Sequence, residues 1–363
     1  MAYYFRLPII TALTIQQQAV LNEPGAVAVS GGPGTGKSVV SLWRHIRNHD
    51  TGRRRSLLLT YTKSLEYYLT ATARAENENA GNCVNRTYWW TCHNPNTGYA
   101  EIIVDEAQDV EEEKYLLIQN LTQMVSYSAD DNQMLFPSRH TSQARLREIF
   151  GRNHEFNLEE NYRNTFEITQ LVRSLFPQML IANGNEHGPK PTVILSGSNI
   201  ETQIKISIEI INLYKSDTHN IAIILPLAGP NSRIYQTVEF WYGQLNGHGF
   251  ACSKYTNREE DLGVIENVHV TTFKSAKGLE FDTLIVPNFN QYRENIENLR
   301  VVEENDYYVV LTRAKRNLFL IDNDVSSNNR CNLPFLHVAV QRELVQTNID
   351  YITKNTEETI LPF

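Results

Sequence analysis

The sequence contains no uninterrupted apolar run of the roughly 18 residues that a membrane-spanning helix needs, so no membrane span is expected. Its start, MAYYFRLPIITAL, has one Arg and an early Pro, and it lacks the apolar core and cleavage site of a signal peptide. Cysteine is scarce, and the four residues (Cys83, Cys92, Cys252 and Cys331) include no CxxC pair. We therefore expect a cytoplasmic protein with reduced thiols and no structural zinc site.

Basic residues are fewer than acidic residues: the chain has 33 Lys and Arg residues and 41 Asp and Glu residues, which give a formal net charge of −8. This balance argues against a protein that coats nucleic acid through bulk electrostatics, although it permits a local basic groove. One basic stretch runs through Arg44, His45 and Arg47 to Arg53–Arg55. A solvated helix face and loop is the favoured interpretation of that stretch.

Short apolar segments alternate with helical patterns along the chain, which predicts an α/β fold with parallel sheets. Helices are predicted after Lys37 and at Lys63–Ala73, Tyr235–Leu245 and Asp306–Ala314. Strands are predicted at Ala26–Ser30, Ser56–Thr60, Glu101–Val104, Met124–Ala129, Ile221–Leu225, Val268–Thr272, Thr283–Pro287 and Asn317–Ile321.

The length of 363 residues predicts two domains. The boundary is expected just after Asn164, which gives domains of residues 1–165 and 166–363. A helix over Leu333–Tyr351 is expected to pack on the second domain, and a partner-binding helix is the alternative.

A glycine-rich octet lies between the first predicted strand and the following predicted helix. It matches GxxxxGK[ST], a pattern whose backbone N–H groups cradle phosphate oxygens. Lys37 is expected to reach the β- and γ-phosphates of ATP, and the Ser38 hydroxyl is expected to bind Mg²⁺. The octet consists of Gly31, Gly32, Pro33, Gly34, Thr35, Gly36, Lys37 and Ser38.

Two carboxylates, Asp105 and Glu106, follow the predicted strand Glu101–Val104. A buried strand that ends in two charges is costly unless those charges have partners or a function. Beside a phosphate loop, Asp105 is predicted to hold Mg²⁺, and Glu106 is predicted to orient and deprotonate the attacking water. The sequence thus predicts an ATP hydrolase that uses Mg²⁺.

Residues 105–109, DEAQD, resemble a motif of the UvrD/Rep-like branch of superfamily 1 helicases, and further motifs follow in that family's order from Leu13 to Leu318. The resemblance implies two tandem RecA-like P-loop domains with ATP in a cleft between them. It also implies an adenine-contacting glutamine in LTIQQ. Spacing from Leu13 favours Gln17, whereas spacing to Ala19 and Val20 favours Gln16.

Later segments extend the resemblance around the nucleotide. Asp130–Gln133 is similar to GDxxQ, with Ala129 in place of Gly, and implies that Gln133 senses the γ-phosphate. The Asn-Tyr-Arg segment that follows Glu160 is similar to the NYR motif. It implies that Tyr162 stacks on adenine and that Arg163 contacts the γ-phosphate.

Two motifs in the second half complete the implied nucleotide site. Thr271–Phe281 resembles TxxxAKGLEF, which implies that Gly278 and Glu280 lie at the nucleotide. Tyr308–Ala314 resembles YVAxTRA, which implies that Arg313 is a second arginine at the γ-phosphate.

The resemblance also implies contacts with single-stranded DNA, with RNA not excluded. Hydroxyls and amides would contact phosphates, and an aromatic side chain would stack a base. In Phe136–Arg139, Ser138 stands where the family has a stacking aromatic residue. The implied contact residues are Thr60, Tyr61, Thr87, Thr271, Thr272 and Lys274.

The intervals from Thr87 to Asp105 and from Asn164 to Val268 are too short for the family's large accessory insertions. We therefore expect a minimal ATP-dependent translocase or helicase. The resemblance to the UvrD/Rep-like branch implies that it moves 3′→5′ on single-stranded DNA. The minimal architecture suggests a motor subunit of a repair or phage-defence complex, with a protein partner that supplies nuclease or effector function. The alternative is a nucleotide-switched subunit that reports nucleic acid to a partner effector.

Overall fold

The computed structural model describes residues 3, 7–50, 55–93, 95–134, 140–196, 199–226, 237–256, 263–292, 294–298, 300, 302–322 and 334–347. Contacts divide the chain into two units. The N-terminal unit is Arg6–Asn161, and the C-terminal unit is Tyr162–Phe363 together with Met1–Phe5. Each unit contains its own parallel sheet.

The N-terminal unit alternates strands and helices. Its elements are α1 (Ile15–Asn22), β1 (Val27–Gly31), α2 (Lys37–Asp50), β2 (Ser56–Thr60), α3 (Lys63–Glu76), α4 (Glu78–Gly81), β3 (Val84–Arg86), α5 (Thr87–His93), β4 (Glu101–Val104), α6 (Glu112–Leu121), β5 (Val125–Ala129), α7 (Gln143–Ile149) and β6 (His154–Leu158).

The N-terminal sheet has the strand order β3-β2-β4-β5-β1-β6, and its strand pairs are parallel. Residues of β2, β4 and β5 are buried throughout, because helices cover both faces of the sheet. Only β5 separates β1, which leads into the phosphate loop, from β4, which ends at the carboxylates. The carboxyl ends of these parallel strands therefore bring the two motifs to one edge.

The boundary between the units falls within β7 (Asn161–Thr165), because Asn161 is the last residue of the N-terminal unit and Tyr162 begins the main part of the C-terminal unit. The elements that follow are α8 (Phe166–Leu175), β8 (Gly184–Glu186), β9 (Thr192–Leu195), α9 (Ile200–Tyr214), β10 (Ile221–Leu225), α10 (Val238–Gly247), β11 (Ser253–Tyr255), β12 (Val268–Thr272), β13 (Phe281–Val286), α11 (Glu304–Leu311), β14 (Ala314–Asp322), α12 (Pro334–Gln341) and β15 (Gln346–Thr347).

The C-terminal sheet has the strand order β11-β12-β10-β13-β14-β9-β15, again with parallel pairs. Apolar side chains on its two faces form two separate core clusters. The predicted α/β fold, with one parallel sheet in each half of the chain, is confirmed. No described helix is long and apolar enough to span a bilayer.

The basic stretch in α2 is not the solvated face that the sequence favours. Arg44 and His45 are buried. The Arg44 guanidinium lies 2.7 Å from a Glu101 carboxylate oxygen and donates to the backbone carbonyls of Val20, Glu23 and Gly25. Because these acceptors replace water around the guanidinium, its burial is tolerated.

Two predicted helices are shorter than expected. The helix predicted over Asp306–Ala314 ends at Leu311, because Ala314 begins β14 opposite Phe281. In the predicted tail helix, only α12 is helical. Glu343 then adopts a left-handed backbone conformation that ends the helical path, and β15 pairs with β9.

The packing expected of the tail helix is confirmed, since Leu336 and Ala339 lie in the C-terminal core. Other expectations fall outside the described residues. These concern Arg53, Arg54, Phe136–Arg139, Tyr235, Gln236, Cys331, Leu333 and residues 348–351.

Candidate nucleotide site

The phosphate loop joins the end of β1 to the start of α2, so its backbone amides lie at a helix N-terminus. Gly36 has a φ of 89°, and a Cβ atom there would lie 2.5 Å from Gln17 Nε2. The Lys37 ammonium donates to the carbonyls of Gly31 and Gly32, at 2.6 and 3.0 Å. The loop thus has the shape of a phosphate cradle, and its lysine is folded back onto the backbone.

Gly36→Ala is expected to raise the dissociation constant for ATP by about tenfold or more. The left-handed backbone costs an alanine about 1–2 kcal/mol, and the new methyl group displaces Gln17. Equilibrium titration with a fluorescent ATP analogue measures the effect. Gly243→Ala is the matched control, because nothing lies within 4 Å of a Cβ there. Equal affinities of the two variants would contradict the assignment of the loop.

Asp105, at the end of β4, has the environment expected of a magnesium ligand. One carboxylate oxygen accepts a hydrogen bond from Ser128 Oγ. Among the residues that the structure describes, Oδ2 is buried without a hydrogen-bond partner. Burial and, to a smaller extent, the neighbouring Glu106 charge raise the pKa of Asp105 to about 6, although hydrogen bonds from the Ser128 and Ser38 hydroxyls act in the opposite direction.

The residues present fit Mg²⁺. Ser38 and Asp105 supply the hard oxygen ligands that Mg²⁺ prefers, and a bound cation would offset the cost of burying the Asp105 charge. No group of three His, Cys, Asp or Glu side chains in the described ranges could hold another metal ion.

Glu106 begins a tight turn after Asp105. Its φ of 56° is left-handed, a conformation that costs a non-glycine residue energy and often marks a functional site. Its Oε2 atom accepts a 2.6 Å hydrogen bond from Gln108 Nε2. The carboxylate is therefore held in one orientation rather than free in solvent.

Gln133 lies in the short turn after β5 and is buried. Its amide nitrogen donates to Asp130 Oδ2 at 2.6 Å, and the same oxygen lies 3.8 Å from Lys37 Nζ. The structure thus brings the predicted sensor to the phosphate-loop lysine through Asp130. Asp130 belongs to the GDxxQ-like segment, but the sequence alone does not predict its contact with the phosphate-loop lysine.

The two candidate adenine-contacting glutamines have different environments. Gln17 is buried on α1, and its Nε2 donates to the backbone carbonyl of Thr35 at 3.1 Å. Its Oε1 accepts from the backbone N–H of Thr14. Gln16 is exposed. The placement favours Gln17, while contact with adenine stays a prediction.

In the C-terminal unit, Arg163 Nε lies 2.9 Å from Glu280 Oε2. Lys315 Nζ lies 3.7 Å from the other Glu280 oxygen and 3.4 Å from Asp282. Burial alone would raise the pKa of Glu280, but Arg163, Lys315 and Arg313 together hold it below its ordinary value. The predicted γ-phosphate arginine is thus paired with another predicted nucleotide-site residue.

Other predicted nucleotide residues vary in exposure. Tyr162 is 48% exposed, as a residue that stacks on a base would be before binding. Arg313 is buried after α11 and donates from Nε to the Val309 carbonyl at 3.1 Å. Gly278 has a φ of 86°, which permits the turn before Glu280.

The predicted nucleic-acid contacts are mostly buried. The hydroxyls of Thr87, Thr271 and Thr272 donate to the Thr60 carbonyl, the Tyr255 carbonyl and Ser275 Oγ. Within the described chain, Thr60 Oγ1 is buried and unpaired, Tyr61 is half-buried, and Lys274 lies 4.0 Å from Asp306. The hydroxyls of Thr87, Thr271 and Thr272 thus anchor the fold, and contact with a nucleic acid stays a prediction.

A phosphate loop, an acidic pair beside it and parallel α/β sheets define a P-loop nucleotide-binding protein. Residues 251–324 match the family model of the UvrD-like helicase C-terminal domain. The chain is 26% identical over 245 residues to a putative ATP-dependent DNA helicase of Acanthamoeba polyphaga mimivirus, covering 60% of this chain and 34% of that protein. It is 26% identical over 261 residues to a probable DNA helicase of Mycoplasma pneumoniae, covering 68% and 48%.

Among solved structures, that of the PRRSV helicase aligns with a TM-score of 0.45 at 13% identity, covering 88% of this chain and 57% of that chain. The chain spans about a third and about half of the lengths of the two curated relatives. The family match and the names of these relatives confirm the resemblance to UvrD-like superfamily 1 helicases.

Proposed function

We propose that the chain is the core of a motor that couples ATP hydrolysis to movement on single-stranded DNA. The proposal rests on one observation: the following residues lie at the same edge of the N-terminal sheet, namely Lys37, Ser38, Asp105 and Glu106. Among the described residues, Asp105 Oδ2 is buried there without a hydrogen-bond partner. The UvrD-like match and the names of both curated relatives support DNA as the polymer.

The N-terminal unit is proposed to bind ATP and prepare its hydrolysis. Ser38 and Asp105 would hold Mg²⁺, which would supply positive charge to neutralise the phosphates. Lys37 exchanges its hydrogen bonds with the loop carbonyls for bonds with phosphate oxygens. Glu106 orients the attacking water and accepts its proton, while Gln133 detects the γ-phosphate.

Arg163 and Arg313 are proposed to act on the γ-phosphate of the same nucleotide, where guanidinium groups offset charge that develops in the transition state. Arg163 would leave Glu280 to do so, and Lys315 would remain as a cation beside that carboxylate. ATP then favours the state in which the arginines reach it, and hydrolysis removes this preference. Alternating states of this kind would produce directed movement along a strand.

We propose 3′→5′ movement on the strength of the resemblance to the UvrD/Rep-like branch. We propose translocation rather than efficient strand separation because the two short intervals leave no room for accessory insertions. A protein partner would supply the missing surfaces or a nuclease.

The test is the steady-state ATPase rate measured without polymer, with single-stranded DNA and with single-stranded RNA. Severalfold stimulation by DNA is expected, because strand binding should favour the state in which the arginines act. Stimulation by RNA alone would replace the DNA assignment with an RNA motor. Hydrolysis that neither polymer changes would contradict the motor and would favour a nucleotide switch.

A further inference from the structure

Gln108 lies in the 3₁₀ turn after Glu106, and its side chain is fully buried. The two ends of its amide contact different parts of the site. Nε2 donates to Glu106 Oε2 at 2.6 Å, and Oε1 accepts from the backbone N–H of Asp130 at 3.1 Å. A backbone N–H can only donate and a carboxylate mainly accepts, so these partners fix which amide atom faces which neighbour.

Asp130 makes further contacts with the side chains of the phosphate site. The Asp130 carboxylate accepts from Gln133 Nε2 and lies 3.8 Å from Lys37 Nζ. Polar contacts therefore run from Glu106 through Gln108 and Asp130 to Gln133 and Lys37. These five residues are at most 8% exposed, so water competes little with their contacts.

We propose that Gln108 is a positioning residue that sets the orientation of Glu106 relative to the turn carrying Gln133. This inference rests on the proposed role of Glu106 as the base. An amide is suited to the task, because it donates at one end and accepts at the other without adding charge. A glutamate could not donate to Glu106 in its ionised form, and a leucine could make neither hydrogen bond.

The proposal predicts a loss of turnover without a matching loss of ATP binding. Gln108→Leu should lower kcat by about 10–100-fold, the range for groups that orient a reactive ligand, with KM for ATP nearly unchanged. Gln108→Glu, which preserves the shape of the side chain, should lower kcat by at least as much, because it places a second carboxylate beside Glu106.

A double-mutant cycle separates positioning from a general structural role. We would measure single-turnover hydrolysis for the wild type, Gln108→Leu, Glu106→Gln and the double variant. If Gln108 acts through Glu106, its substitution should have little further effect in the Glu106→Gln background. An equal fold-loss in both backgrounds, or a loss that appears only in KM, would overturn the proposal.

Gln143→Leu is the matched control. Gln143 Nε2 donates to the Ala129 carbonyl at 3.2 Å, near the same turn, and the hydrogen bonds of its side chain involve neither Glu106 nor Asp130. The Gln143→Leu variant should retain the wild-type kcat, whereas a loss of kcat equal to that of Gln108→Leu would overturn the proposal. Absence of hydrolysis in the wild type would reject the proposed function itself, and the Gln108 role with it. Normal wild-type hydrolysis, together with additive effects in the double-mutant cycle, would reject only the positioning role of Gln108.

Discussion

Glu106→Gln is expected to retain ATP binding and to lower the hydrolysis rate by about 10²–10⁴-fold, the usual contribution of a positioned general base. Glutamine preserves the size of the side chain, and its carbonyl oxygen can still accept the hydrogen bond from Gln108. The substitution therefore removes the ability to accept a proton with little change in geometry. Single-turnover hydrolysis and equilibrium ATP titration measure the two effects separately.

Glu113→Gln is the control for this substitution, because Glu113 is exposed on α6 and pairs only weakly with Lys114, at 3.6 Å. It should hydrolyse ATP at the wild-type rate. Near-normal turnover in Glu106→Gln would show that another group accepts the proton, and the assignment of the base would be wrong.

Arg163→Gln is expected to lower kcat by about 10³–10⁵-fold, the range for an arginine that stabilises the transition state of phosphoryl transfer. ATP binding should change much less, because Lys37 and the loop amides remain. The same kinetic and binding measurements test this prediction.

Lys315→Gln provides a matched comparison, because it removes another cation beside Glu280 without removing a proposed phosphate contact. If Arg163 acts on the nucleotide, its substitution should be far more damaging than that of Lys315. Similar small losses in both variants would indicate that Arg163 serves only to neutralise Glu280.

The sequence predicts the nucleotide site well wherever the information is local. The residues of the phosphate loop are consecutive, and an apolar strand followed by an acidic pair identifies Asp105 and Glu106. Eight strands of the two parallel sheets are equally clear, because a strand covered on both faces requires a continuous apolar segment. The sequence does not predict β3, β6, β9, β11 or β15 of these sheets.

What the sequence does not predict depends on burial and on contacts between distant segments. Gln16 and Gln17 are neighbours, and only the packing of α1 decides which amide reaches Thr35. Arg44 looks like a surface residue until its four acceptors come together from α1, the loop after it and β4. The Gln108–Asp130 contact spans 22 positions along the chain, so no local pattern indicates it.

The buried threonines illustrate a related difficulty. A threonine at a strand end can face a phosphate or anchor the backbone, and the residue type is the same for both. Thr87 and Thr271 donate to backbone carbonyls of neighbouring strands, which explains their burial without reference to a nucleic acid.

The central claim, ATP-driven movement along single-stranded DNA, is tested most directly by translocation kinetics. Oligodeoxythymidylates of increasing length, with a fluorophore at the 5′ or the 3′ end, would be mixed with the protein and then with ATP. The fluorescence of a 5′ label should change after a lag that requires ATP and grows with the length of the oligonucleotide. The fluorescence of a 3′ label should change without such a lag. Lags that do not depend on length for either label, while ATP is hydrolysed, would contradict the claim.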